Sequence, residues 1–242
     1  MTGERMSGER MSGEQVIIGV DELIDRPESW AVTRSAVLAA GAVCSFVEEE
    51  VLTPDAEPLQ RQFTVHPGAV GILAVDDQER VALVRQYRHP VRHRLIEPPA
   101  GLLDVAGEDY LIGAQRELAE EVGLAASDWR VLAEEFTSPG GLSESMRMYL
   151  ARGLTEAPAP DGFVKHGEEA HMDIVWASLD DLVETVLAGR VHSPTLVVGV
   201  LAAWAAKTRG GFDSLRAADV TWPAREEQQQ RQTDFTAIAT ES

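Results

Sequence analysis

The chain has 242 residues, a formal net charge of −19 and 44% hydrophobic residues. That length and apolar content can bury one core with a small appendage, and a quarter of charged residues excludes global disorder. So acidic a surface repels phosphates in general, which argues against nucleic acid as a partner.

Residues 1–15 carry the polar, glycine-bearing repeat MTGERMSGERMSGE, with no hydrophobic period, and read as a disordered tail. Residues 16–64 read as an antiparallel β subdomain. Its strands are expected at 16–20, 31–40 and 59–66, where branched and apolar residues partly alternate. The stretch 43–52 fits either a strand or a short turn of helix. The lone cysteine, Cys44, excludes an intrachain disulfide. No run of about 18 apolar residues suggests a membrane span, and the N-terminus lacks the apolar core of a signal peptide. A cytoplasmic protein with no membrane partner is expected.

Residues 65–208 form the main domain. Strands at 69–75 and 81–87 flank a hairpin loop at Asp76–Arg80. The segment RQYRHPVRHR (85–94) then packs several cations into ten residues. Further strands are expected at 129–136, 146–154 and 173–176, with loops at 138–145 and 157–167. A helix at 179–188 opens on Asp180 and Asp181 and stops at Gly189. Another starts with Ser193 as N-cap and Pro194 at N1 and runs to about Lys207. Residues 209–242 have weak periodicity and a Gln/Glu-rich patch, and partial order is expected there. Strands around one helix, then two helices, suggest a mixed sheet between helical layers.

The densest chemistry lies between Ala100 and Leu124. Within RELAEEVG, helical spacing puts Glu117, Glu120 and Glu121 on one face at i, i+3 and i+4. Leu111, Ala114, Leu118 and Val122 form an apolar face about a quarter-turn away. An acidic surface helix alone would explain this, since like charges at this spacing cost only about 0.2–0.5 kcal/mol per pair. Two features favour a site. Gly123 ends the helix just past the acidic turn, and a glycine-bearing loop enters the helix directly after Pro98 and Pro99. A rigid loop delivered onto carboxylates suits Mg²⁺, which takes carboxylate oxygens together with substrate phosphates.

This stretch resembles the Nudix box, G, five residues, E, seven residues, R-E-U-x-E-E-x-G-U with U aliphatic. Gly101, Glu108, Arg116, Glu117, Leu118, Glu120, Glu121, Gly123 and Leu124 supply it. Six residues separate Gly101 from Glu108 where the pattern has five. The string AGLLDVAGE, insertion included, is most similar to the form in actinobacterial members of the ADP-ribose pyrophosphatase branch. The resemblance implies an α+β fold, a Nudix-type α/β/α sandwich with a mixed sheet, beside the N-terminal antiparallel β subdomain. It implies hydrolysis of ADP-ribose to AMP and ribose 5-phosphate with Mg²⁺ or Mn²⁺. A nucleotide sugar or dinucleotide as substrate, or a non-catalytic ADP-ribose sensor, are the alternatives; the complete set of box glutamates argues against the sensor. It also implies a homodimer in which the N-terminal subdomain helps build the partner's adenine pocket.

Residue by residue, the resemblance implies that Glu117, Glu121, the shared or nearby Glu120 and the backbone carbonyl of Ala100 hold the metal. Arg116 orients these carboxylates. Glu108 also reads as an ordinary helix N-terminal acid. In GEEAH (167–171) the resemblance implies a water-orienting glutamate, best matched by Glu169 with Glu168 as alternate. Pro139, fifteen residues past Leu124, is a mark of the branch, and Glu144 in SPGGLSES is implied to meet a ribose hydroxyl. QYRH (86–89) offers Arg88 to the diphosphate, since arginine matches phosphate oxygens in pairs. Arg94 is a further candidate, although surface charge explains it equally well, and Glu97 is expected near the substrate.

Overall fold

The computed structural model describes residues 19–105, 107–158 and 171–238, with side chains described up to residue 230. Its N-terminal unit is a three-stranded antiparallel sheet of β1 (Ala31–Ala40), β2 (Ser45–Leu52) and β3 (Pro58–Val65). The ambiguous stretch 43–52 is therefore strand, and β2 pairs with β3 without a break from Ser45↔Val65 to Leu52↔Pro58. The strand expected at 16–20 falls partly outside the described residues. Its last residue, Val20, instead opens a 3-10 turn, Val20–Glu22.

The main sheet has eight strands, in the order β10-β5-β4-β9-β8-β11, with β6 pairing β5 and β7 pairing β4. The strands are β4 (Ala69–Val75), β5 (Arg80–Arg88), β6 (His93–Glu97), β7 (Ala100–Leu102), β8 (Leu124–Phe136), β9 (Ser145–Glu156), β10 (Asp173–Ser178) and β11 (Arg216–Ala217). The pairing of β4 with β9 is parallel and the rest are antiparallel, so the sheet is mixed. Strand β4 is buried along its whole length, as expected of a strand covered on both faces. By the two-residue period, Val70, Ile72 and Ala74 pack towards Ala114, Leu118 and Val122 of helix α1 (Tyr110–Val122). Leu73 and Val75 pack on the opposite face with Leu179 and Leu182 of α2 (Leu179–Leu187) and Leu196 and Val200 of α3 (Pro194–Arg209). This is the α/β/α sandwich.

One feature of the sheet creates the site. Strands β4 and β5 pair only at Ala74↔Ala82 and Val75↔Val81, then diverge. Into the gap run β6, the Pro98–Pro99 step and β7. β6 pairs with β5 at Val84↔Glu97, and β7 pairs with β4 at Gly71↔Ala100. Prolines cannot donate to a ladder, yet the Pro99 carbonyl accepts from the Ile72 N–H at 2.8 Å. Glu97 and Ala100 are thereby held side by side beneath the open edge.

Two stretches differ from expectation. β8 begins at Leu124 and not at Trp129, because it follows the helix stop directly and pairs with the long β9, with an irregularity between Val131 and Ala133. Residues 209–242, expected to be partly ordered, include a 3-10 turn (Phe212–Ser214), β11 and helix α4 (Pro223–Ile238). The periodicity there is weak because the segment is anchored by two large side chains, Trp222 and Arg225, and not by an apolar stripe.

Candidate active site

Helix α1 starts one residue later than an acid at 108 would suggest. Asp109 is the N-cap, its Oδ1 accepting from the Leu111 N–H at 2.8 Å. That leaves Glu108 free of capping, and it bonds Arg116 at 3.1 and 3.2 Å. Gly123 ends the helix in the left-handed conformation, φ 69°, its N–H donating to Ala119 and Leu118 carbonyls. Between these ends, Nη1 of Arg116 donates to Glu117 at 2.7 Å and to Glu120 at 2.9 Å. One guanidinium thus gathers three carboxylates. The bonds Arg116 donates to Glu108, and then the charge of Glu117, hold the Arg116 pKa above its ordinary range.

Two contacts tie this face to β7. Glu121, 7% exposed, accepts from the Ala100 N–H at 3.0 Å. Gly101 lies against Glu117 so closely that a Cβ there would overlap its Cγ, Cδ and Oε1. The glycine is required by the carboxylate beside it and not by backbone conformation.

Above these groups opens a cavity of about 690 Å³, within the ~300–1,000 Å³ usual for small-molecule sites. Its walls bring together Arg88, Glu97, Ala100, Arg116, Glu117, Glu120, Glu121 and Glu144. Buried Glu97 accepts from Gln86 Nε2 at 2.9 Å and from Arg88 Nε at 2.8 Å, which aims the arginine. On another wall Glu144 accepts from Thr137 Oγ1 at 2.7 Å and stands 3.4 Å from His66 Nδ1. That nitrogen already accepts from the Gly68 N–H at 3.0 Å, so it has no proton to offer Glu144. Burial pushes the His66 pKa down, Glu144 opposes the fall and Arg225 adds to it. The accepting Nδ1 and the burial both favour the neutral imidazole.

Arg94 lies outside the cavity. It donates to the carbonyls of Arg85 and His171 and lies 3.9 Å from Asp173, on the outer side of β5 and β6. Glu168 and Glu169 lie outside the described residues. His66 and Thr137 also line the cavity, beyond the residues that the resemblance implies. The His-Pro-Gly turn that ends β3 was the available signal for His66.

The charge balance decides what the cavity admits. Six of its lining residues are carboxylates and two are arginines. An anionic ligand is repelled unless cations enter with it. The donor set is hard oxygen, suited to Mg²⁺ or Mn²⁺, and the Gly101 recess is what admits the Glu117 carboxylate. Glu117 and Glu120 rest on Arg116, and among the described residues no three acids, histidines or cysteines stand in metal-holding geometry. The residues fit a divalent cation that competes with Arg116 for them.

Comparison with known proteins agrees. The chain is 43% identical over 188 residues to an ADP-ribose pyrophosphatase of Mycobacterium tuberculosis, spanning 78% of this chain and 88% of the relative. It is 31% identical over 153 residues to an ADP-ribose pyrophosphatase of Bacillus subtilis, with 63% and 80% covered. A methanol dehydrogenase activator of Bacillus methanolicus is 30% identical over 161 residues, with 66% and 85% covered. The solved structure of an ADP compounds hydrolase shares the fold with a TM-score of 0.62 at 18% identity, covering 77% of this chain and 99% of that one. The family model for the NUDIX domain matches residues 65–196, which hold the box helix, its glycine loop and every cavity-lining residue except Val43: the chain belongs to the Nudix family and is a Nudix hydrolase.

Proposed function

We propose that the chain hydrolyses the diphosphate of ADP-ribose to AMP and ribose 5-phosphate. The observation that carries this is an acid-rich cavity built on the complete box, in a chain 43% identical to a protein named for that activity. Glu117, Glu120, Glu121 and the Ala100 carbonyl would hold Mg²⁺ or Mn²⁺. When bound, the cation supplies charge neutralisation at the diphosphate and lowers the pKa of water.

The chain's own residues do the rest. Arg88, braced by Glu97, donates to a phosphate oxygen and stabilises charge that grows in the transition state. Glu144 accepts from a ribose hydroxyl. Arg116 keeps the carboxylates gathered before substrate arrives. Glu169 takes a proton from the attacking water as its oxygen bonds phosphorus; the anhydride bond breaks and the second phosphate leaves with the electron pair. Arg94, beyond the cavity wall, would be a further contact of the same substrate.

The same reading includes a cytoplasmic homodimer. Its support is the N-terminal sheet, where Val32, Leu38 and Phe46 are exposed. No helix among the described residues is long and apolar enough to cross a membrane.

The test is product release from ADP-ribose, nucleotide sugars and dinucleotides with Mg²⁺, for wild type, Glu121→Gln and Glu169→Gln, with sedimentation of the wild type alongside. ADP-ribose is expected to be the preferred substrate and both variants are expected to lose most activity. Hydrolysis of no panel member sinks the enzyme assignment. An undiminished Glu169→Gln removes that residue's role, and a fully active monomer removes the dimer.

A further inference from the structure

A buried arginine of the C-terminal helix has no place in the chemistry described so far. Arg225 is 1% exposed. Its Nη1 donates to Ser145 Oγ at 2.6 Å and its Nη2 to the Pro67 carbonyl, while Nε has no hydrogen-bond partner. Among the described residues no carboxylate lies within ion-pair distance of it. A buried cation with no carboxylate partner costs several kcal/mol against solvation, so these hydrogen bonds, the neighbouring Tyr110 and close packing have to hold it. Gly68, at φ +90°, makes the room, since a Cβ there would stand 2.6 Å from Nη1.

The placement connects two parts of one cavity wall. Pro67 follows His66, and Ser145 follows Glu144. His66 and Glu144 face each other at 3.4 Å in the cavity. The neighbouring contacts act in the same direction. The His66 N–H donates to Ser143 Oγ at 3.0 Å, and Gln228 of α4 donates to the Ser143 carbonyl. Trp222, 4% exposed, is edge-on to Tyr110 at the start of the box helix and stacks with Arg147 at 5.2 Å. The C-terminal segment thus fastens the loop that carries Glu144, the β3–β4 turn that carries His66 and the start of α1.

We propose that Arg225 is a positioning residue for substrate binding: by bridging Pro67 and Ser145 it sets the Glu144 carboxylate for a hydroxyl of the substrate's ribose. This rests on the reading of the cavity as the nucleoside diphosphate site. The inference concerns affinity and not the chemical step, because Arg225 touches none of the carboxylates around Arg116.

The experiment uses the full chain as Arg225→Met, Arg225→Lys, Ser145→Ala, Glu144→Gln and the double variants Arg225→Met/Glu144→Gln and Ser145→Ala/Glu144→Gln, with ADP-ribose and Mg²⁺. Arg225→Met is expected to raise KM roughly tenfold, the effect of one misplaced hydrogen bond, with kcat within about twofold. Arg225→Lys is expected to recover most of it. In the Glu144→Gln background the same change is expected to alter KM less than about twofold, because the charged carboxylate it orients is gone. An equal penalty in both backgrounds overturns the inference, as does a fall confined to kcat. If Arg225→Met does not fold, Ser145→Ala makes the same decision, since it removes one end of the bridge. Wild-type protein inactive on every nucleoside diphosphate derivative overturns the cavity reading and this inference with it; an active wild type with additive penalties overturns this inference alone.

Discussion

Replacing Gly101 with alanine separates the fold from the chemistry. Gly101 lies in β7 with no positive φ, so alanine suits the backbone and gains about 0.4–1 kcal/mol by restricting the unfolded chain. The new Cβ would overlap the Glu117 side chain. Glu117 must give way, because the helix that carries it is pinned by fully buried Leu118. Bringing the overlap out to an ordinary carbon contact of about 3.5 Å moves the carboxylate by more than about 1 Å. The Arg116–Glu117 bond at 2.7 Å is then lost, but a partly exposed ion pair contributes at most about 1 kcal/mol, and Arg116 keeps Glu108 and Glu120. The two effects nearly offset, and stability should change by less than about 1 kcal/mol, or about 2–4 °C in Tm for a chain of this size. Activity should fall on the order of 10²-fold, the cost of misplacing a reacting-site group by about 1 Å. AMP release from ADP-ribose with Mg²⁺ and a calorimetric melt read the two quantities. Activity within threefold of wild type, or a melt lowered by more than about 10 °C, would refute the reasoning.

Two further outcomes are expected. Mg²⁺ at about ten times its Kd should stabilise the wild type by about 1.4 kcal/mol, raising Tm by roughly 3–6 °C; Glu121→Gln should abolish the rise, and an unchanged rise would remove Glu121 from the ligand set. His66 should make stability depend on pH. Its pKa is pushed below 6.5 in the folded state, first by burial, so the unfolded chain binds its proton more tightly. The penalty is absent above pH 6.5, grows as pH falls below that value, and levels off under the depressed folded pKa. His66→Gln should flatten the fall in urea midpoint between about pH 7.5 and pH 5, and a variant with the wild-type slope would show that another group titrates there.

The parts of the site that were legible in the chain are those written in local spacing. Three glutamates within five residues, a glycine stop and an apolar stripe define α1 whatever surrounds it, because the helical period alone places them. Arg88 and Glu97 were legible as neighbours of the box, but not their bond, which depends on β5 and β6 pairing at Val84↔Glu97. Arg94 shows the limit. Its charge matches that of Arg88, and only the strand pairing sets it beside Asp173 and outside the cavity lining. Arg225 could not be read at all, since an arginine in a Gln/Glu-rich segment has no local signature.

By itself the sequence determined the box helix, its ends, its carboxylate face, and the strands whose apolar residues run unbroken or alternate. Each of these follows from backbone geometry over a few residues. The tertiary structure decided which groups meet. The divergence of β4 from β5 opens the cleft, the Pro98–Pro99 step seats Ala100 under Glu121, and the C-terminal helix lodges Arg225 behind Glu144. These meetings join residues far apart in the chain, and pairing and burial across the whole domain set them.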